Sequence, residues 1–175
     1  MDKSVDLKRS HVVLLFLILL GWGLRVYRLD AQELRGDEAF SWNYVVPEVG
    51  VTDLVKRIVV EGDPQPPIHY FLLQRWVGIF GDSEWSMRSL SAFLSLMLIP
   101  LVYKLGIRAK SHQAGLVAAA LTTIHPFQIW LAQDVRNMYQ IALILGLAST
   151  LLLSGLLRGK RGHWFVYILC SSLAI

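Results

Sequence analysis

The feature that most constrains this chain is a series of apolar runs, each about as long as a bilayer is thick. A helix needs about 20 apolar residues to cross the hydrocarbon core. Segments 11–28, 88–105, 112–131 and 137–157 approach that length, and a fifth run extends from 163 to 175. Hydrophobic residues make up 54% of the chain and mean hydropathy is +0.48, which excludes an ordinary soluble domain of this size. The expected fold class is all-α, a polytopic transmembrane helical bundle.

Charge sets the expected topology. A pI near 9.4 could point to nucleic acid. However, the basic residues sit in short clusters between apolar runs, the pattern of membrane orientation, and no nucleic-acid motif is present. Lys3, Lys8 and Arg9 precede the first run, and Trp22, Arg25, Tyr27 and Arg28 follow it without a small-residue cleavage site. It therefore reads as an uncleaved first span. Cys170 is the single cysteine and lies in an apolar run, so there is no disulfide framework or cysteine metal site.

Pro67–Phe80 is apolar but short, opens at two prolines, and carries Gln74 and Arg75. If it crossed the bilayer, Lys104, Arg108, Lys110, Arg158, Lys160 and Arg161 would fall outside. If it lies in the interface, all the basic clusters are cytoplasmic. All 13 acidic residues except Asp2 and Asp6 are then on the outer side. An interfacial or re-entrant helix is expected here, with a cytoplasmic N-terminus and a multi-pass chain in the plasma (inner) membrane. Residues 29–87 become one outer segment, in which 37–46 and 52–60 read as short helices, the second capped by Thr52 or Asp53. Glu61-Gly62-Asp63-Pro64 is a breaker. Gly115, Ala118 and Ala119, with Gly146 and Ala148, offer small surfaces for close helix contact.

Within that frame the informative stretch is Leu34-Arg35-Gly36-Asp37-Glu38-Ala39-Phe40-Ser41. Adjacent helical residues point about 100° apart, so Asp37 and Glu38 cannot face one atom in the same way. One can act as a base while the other orients ligands or pairs with a cation; alternatively, both simply stabilise the helix N-terminus. Arg88 opens the second span and Arg136 sits at an outer boundary. They either snorkel or hold a phosphate, whose oxygens match the guanidinium fork. Asp134 could orient Arg136. His69, beside Tyr70, and His125 are the nearest histidines, and no metal-ligand spacing such as HExxH is present. Trp22, Trp42, Trp76, Trp85 and Trp130 fall near the outer boundary, as an interfacial belt or in part as a sugar or lipid groove.

The order of these elements resembles the polytopic GT-C membrane glycosyltransferases, specifically the protein O-mannosyltransferases (glycosyltransferase family 39) and their relatives that transfer aminoarabinose to lipid A. The resemblance rests on Asp37-Glu38 after the first span, Pro66-Pro67-Ile68-His69-Tyr70, and Phe80-Gly81 shortly before Arg88. It ends with Gln133-Asp134-Val135-Arg136-Asn137-Met138-Tyr139. It implies a polyprenyl-phosphate sugar donor and a protein, lipid or glycan acceptor on the non-cytoplasmic side. Asp37 matches the family's catalytic base and Glu38 its acidic partner. Arg88, and less closely Arg136, match arginines near the lipid phosphate, and His69 and Tyr139 fall among the substrate-binding positions. Gln65 stands where the family often has His, and the lysine of the aminoarabinose branch is missing. Family members have more spans, so the chain reads as the N-terminal part of an incomplete GT-C bundle over 1–175.

The expected function is transfer of a sugar from a polyprenyl phosphate to a hydroxyl, with inversion. No cofactor is expected, and no motif calls for a divalent metal although one is compatible. The alternatives are a transporter fragment and a non-catalytic membrane assembly subunit. Transporters place ionisable groups near the midplane, whereas the candidates here cluster at span ends and in one outer segment.

Overall fold

The computed structural model describes residues 3–31, 33–45, 49–62, 67–157 and 164–173. The Asp63-Pro64 part of the breaker, the dipeptide Gln65-Pro66, the cluster Arg158 to Arg161 and the start of the last run at His163 lie outside the described residues. The chain is an all-α polytopic helical protein. Its elements are α1 (Lys3–Val26), α2 (Gly36–Val45), α3 (Val51–Glu61), α4 (Pro67–Phe80), α5 (Glu84–Ala109), α6 (His112–Ile124), α7 (Pro126–Ala132), α8 (Met138–Leu156) and α9 (Trp164–Leu173).

Among the described residues, α1, α5 and α8 are each long and apolar enough to cross a membrane. Val12, Phe16 and Leu19 of α1 and Val117 and Leu121 of α6 stay exposed, a surface suited to lipid rather than water. Helix α5 is the central post, packing on α1, α4, α6, α7 and α8. Ser83 caps it, accepting a hydrogen bond from the Ser86 N–H. It therefore begins at Glu84, one turn before Arg88, rather than at Arg88 as the apolar run suggests. The α5–α6 hairpin is very close. A Cβ on Gly106 would lie 2.6 Å from the Gly115 Cα, so the two backbones touch where only glycine permits it. A Cβ on Gly146, by contrast, would meet nothing within 4 Å among the described residues, so no such close crossing is seen at that glycine.

The expected span 112–131 is broken. His125 is extended and Pro126 starts a new helix, and α6 and α7 meet at 57°. Proline lacks the N–H that would continue α6 and disfavours a helical residue before it. Thr122 and Thr123, in the last turn of α6, present their carbonyls to Arg25, which also donates to Ser95 Oγ and Gly21 O. A fully buried arginine thus satisfies backbone acceptors that the break would otherwise orphan.

The segment between α1 and α5 folds onto the N-terminal end of α5. Tyr44, Val45, Leu54, Ile58, Tyr70, Leu73, Val77, Met87, Leu90 and Val135 form one apolar core. Helix α4 supplies its share from one face, burying His69, Tyr70, Leu73 and Val77. The second short helix is not capped by Thr52 or Asp53. Its cap is Gly50, which makes no side-chain bond, because α3 starts a residue earlier. Gly62 ends α3 in the left-handed region at φ 65°, its N–H bonded to Ile58 O. Tyr44 of α2 hydrogen-bonds Glu61 of α3 and ties the two together.

Candidate functional site

The site is built where the N-terminus of α2 meets the loop 133–137 between α7 and α8. Arg35 is the residue before α2, and its carbonyl accepts the Ala39 N–H. Glu38, three residues on, reaches back to accept the Arg35 N–H at 2.9 Å, half of a capping box. The same carboxylate accepts Arg88 Nε at 3.0 Å and Nη2 at 2.8 Å, and the Val135 N–H at 3.1 Å. Arg88 also donates to the carbonyls of Leu29 and Glu33. Glu38 is fully buried and Arg88 nearly so. Burial alone would raise the Glu38 carboxyl, but the Arg88 bonds, the two N–H groups and the Arg88 charge outweigh it and leave it below its ordinary value.

Asp37 points elsewhere, as the 100° rotation requires. Its side chain is 44% exposed and its Oδ2 lies 3.6 Å from Arg136 Nη1. Arg136 Nε is buried without a hydrogen-bond partner among the described residues. Asp134 does not orient the Arg136 guanidinium, as the sequence suggested. Its Oδ1 accepts the Arg136 backbone N–H, and its Oδ2 accepts Arg35 Nη2 at 3.1 Å. Burial pushes the Asp134 carboxyl above its ordinary value, and the Glu38 and Asp37 charges push the same way, against the Arg136 N–H and Arg35.

Every residue of the loop is used. Gln133 clips it to the end of α1 through the carbonyls of Arg25 and Tyr27. Asp134 holds Arg35, Val135 meets Glu38 and fills the apolar core around Tyr70 and Met87, and Arg136 faces Asp37. Asn137 Oδ1 lies 3.0 Å from His69 Nδ1, fastening α4 to the head of α8. Tyr139 stands apart, in the first turn of α8 and half exposed. His125 lies at the α6–α7 break and on the wall of a different, apolar cleft with Gln128. Among the described residues no three His, Cys, Asp or Glu side chains group to hold a metal ion.

Arg35 and Arg88, the partners of Asp134 and Glu38, also line a cleft of about 540 Å³, together with Tyr27, Arg28, Trp130, Gln133 and apolar residues of α1 and α7. Arg28 adopts φ 55° there, a left-handed conformation in which a side chain this long is unusual. Trp130 lies under the Arg35 guanidinium at 5.5 Å. Trp76 is not a free belt residue, since its N–H is bonded to Ser86 O and Ser89 Oγ. Arg35 is the site residue to which sequence reading assigned no role. Its one signal was adjacency to the acidic pair.

Comparison with protein families matches residues 64–175 to the dolichyl-phosphate-mannose-protein mannosyltransferases. The match contains Arg88 and the loop 133–137, while α2 with Asp37 and Glu38 precedes it. Comparisons with curated proteins and with solved structures find no match. With more than half of its length matched, and with helices fit to cross a membrane, the chain belongs to the dolichyl-phosphate-mannose-protein mannosyltransferase family, membrane glycosyltransferases that use a lipid-linked sugar donor.

Proposed function

We propose that the chain moves a sugar from a polyprenyl-phosphate donor to a hydroxyl acceptor on the non-cytoplasmic side, with inversion at the sugar carbon. The observation that carries this reading is the division of labour between the adjacent carboxylates. Glu38 already accepts four hydrogen bonds and is sealed from solvent. Asp37 beside it is half exposed, on a long contact with Arg136. A base must reach its substrate with a lone pair to spare, and that requirement selects Asp37.

In the proposed step the acceptor oxygen attacks the anomeric carbon from the face opposite the phosphate. Its proton passes to the Asp37 carboxylate. The bond from sugar carbon to phosphate oxygen breaks, and the polyprenyl phosphate leaves with that electron pair. Arg136, whose side chain is partly exposed beside Asp37, stabilises charge as it develops on the departing phosphate. Arg88 lines the cleft, but its donors are committed to Glu38, Leu29 and Glu33, so it acts by fixing the acidic helix start. His69 positions the loop through Asn137, and Tyr139, half exposed in the first turn of α8, is a further substrate-binding residue.

Asp37→Asn tests the reading, because it keeps side-chain volume while removing the proton acceptor. Transfer measured in membranes with a polyprenyl-phosphate sugar should fall by about 10² or more, while expression and donor binding persist. Asparagine serves a helix start nearly as well as aspartate. Near-normal turnover would therefore leave Asp37 a helix-end residue and end the proposal.

A further inference from the structure

Besides the 3.6 Å approach of Arg35 Nε to Glu38, three guanidinium–carboxylate pairs surround the loop 133–137, and they differ in how firmly each is held. Glu38–Arg88 is buried and bidentate, and Asp37–Arg136 is a 3.6 Å contact. Arg35–Asp134 is lopsided. Asp134 is buried, whereas the Arg35 side chain is 42% exposed, lies over Trp130 and lines the 540 Å³ cleft. We infer that this cleft seats the phosphate of the lipid donor, that Arg35 is the residue that takes it, and that Asp134 is the partner Arg35 leaves when the phosphate arrives. The inference rests on the lipid-phosphate donor proposed above.

Arg88 also reaches the cleft wall, with its guanidinium spent on Glu38 and two carbonyls. Arg35 commits Nη2 to Asp134, its Nε is 3.6 Å from Glu38 Oε2, and its Nη1 makes no hydrogen bond among the described residues. A fork with one prong engaged and the other open can pass to a two-oxygen acceptor without losing its charge-assisted bond. The Trp130 face keeps the guanidinium at the cleft during the exchange. The Arg28 side chain stands on the same wall as a further donor, whereas the Gln133 amide is held by the carbonyls of Arg25 and Tyr27.

The exchange has a proton consequence. Without Arg35, Asp134 faces Glu38 and Asp37 of α2, with the Arg136 N–H of its own loop and Arg88 of α5 as the remaining positive influences. His69 of α4 is engaged with Asn137. A buried carboxyl in that company takes a proton from solvent. One anionic phosphate enters and one proton is bound, so the charge of the site is unchanged. Burial already holds the Asp134 carboxyl above its ordinary value, and loss of Arg35 moves it further in that direction. Because the bound state carries the extra proton, affinity rises as pH falls through the range in which Asp134 titrates.

The test is equilibrium binding of farnesyl methyl phosphate to the detergent-purified protein. This phosphodiester keeps one fixed charge across the pH range. Arg35→Gln should weaken binding about ten-fold or more. Asp134→Asn should tighten it and flatten its pH dependence, a gain that damaged folding does not produce. Unchanged affinity in Arg35→Gln, or weaker binding in Asp134→Asn, overturns the inference and leaves the donor reading standing. Inorganic phosphate that competes on equal terms overturns the lipid assignment of the cleft. No binding of the diester to the wild-type protein removes both this inference and the donor reading.

Discussion

Glu38→Gln is the change that most sharply separates scaffold from chemistry at this site. The buried carboxylate accepts two bonds from Arg88 and one each from the N–H groups of Arg35 and Val135. Glutamine keeps the shape but turns one acceptor oxygen into an NH₂. In either orientation that group faces two donors, Arg88 Nη2 with the Arg35 N–H or Arg88 Nε with the Val135 N–H. Arg88 is left buried without its counter-charge. Removing one partner of a buried ion pair costs about 3–5 kcal/mol, against about 0–1 kcal/mol for an exposed pair such as Asp37–Arg136. For a protein of this size that is a drop in melting temperature on the order of 10 °C. It should be seen by thermal unfolding in detergent and by faster amide exchange in α2. Acid should act alike on the wild type. The Glu38 carboxyl is lower folded than unfolded, so its contribution is complete above the ordinary carboxylate value and is lost as pH falls through the folded one. The double change Glu38→Leu with Arg88→Met should recover part of the loss, since it removes the orphaned charge but leaves the Arg35 and Val135 N–H groups and the Leu29 and Glu33 carbonyls without these partners. A Glu38→Gln protein that melts within a degree or two of wild type would show that Glu38 is not the keystone of this corner.

What the sequence made legible follows the range of the interaction. Long apolar helices and the short helices between them are written in local apolar patterns, and α1, α2, α3, α4, α5 and α8 lie close to where those patterns put them. The divergence of Asp37 from Glu38 is likewise local, a matter of helical rotation. The break at His125-Pro126 was visible as a proline but hidden by averaging hydropathy across 112–131. The partners of the charges were not legible. Arg35 finds Asp134 across 99 positions and Arg88 finds Glu38 across 50, and no periodicity signals a pair that far apart. Arg25 shows the same limit. Its place at the end of an apolar run says nothing of burial, yet it is fully buried because the α6 carbonyls, 97 and 98 positions away, provide its acceptors. Once those pairs are known, the loop 133–137 becomes the member that joins α1, α2 and α4, and each of its side chains acquires a role.

Two further outcomes follow from the bundle. Gly106→Ala puts a methyl group 2.6 Å from the Gly115 Cα, against backbone that cannot rotate away. It should splay α5 from α6 and lower thermal stability by about 1–3 kcal/mol, while Gly146→Ala, which meets nothing within 4 Å, should be neutral or better; equal melting of both variants would refute the close crossing. Single cysteines at Asp82 and Lys110, in a Cys170→Ala background, test the orientation of α5. These positions stand at opposite ends of a helix of 26 residues, which at about 1.5 Å per residue outspans the hydrocarbon core, so an impermeant thiol reagent applied from outside intact cells should reach only one of them. The basic residues Lys104, Arg108 and Lys110 gather at the C-terminal end, and the positive-inside tendency puts that end in the cytoplasm. Labelling at Asp82→Cys and protection at Lys110→Cys is the expected result. The reverse pattern would turn α5 over, carry the Asp37–Arg136 site to the cytoplasmic face, and require the acceptor to be sought there instead.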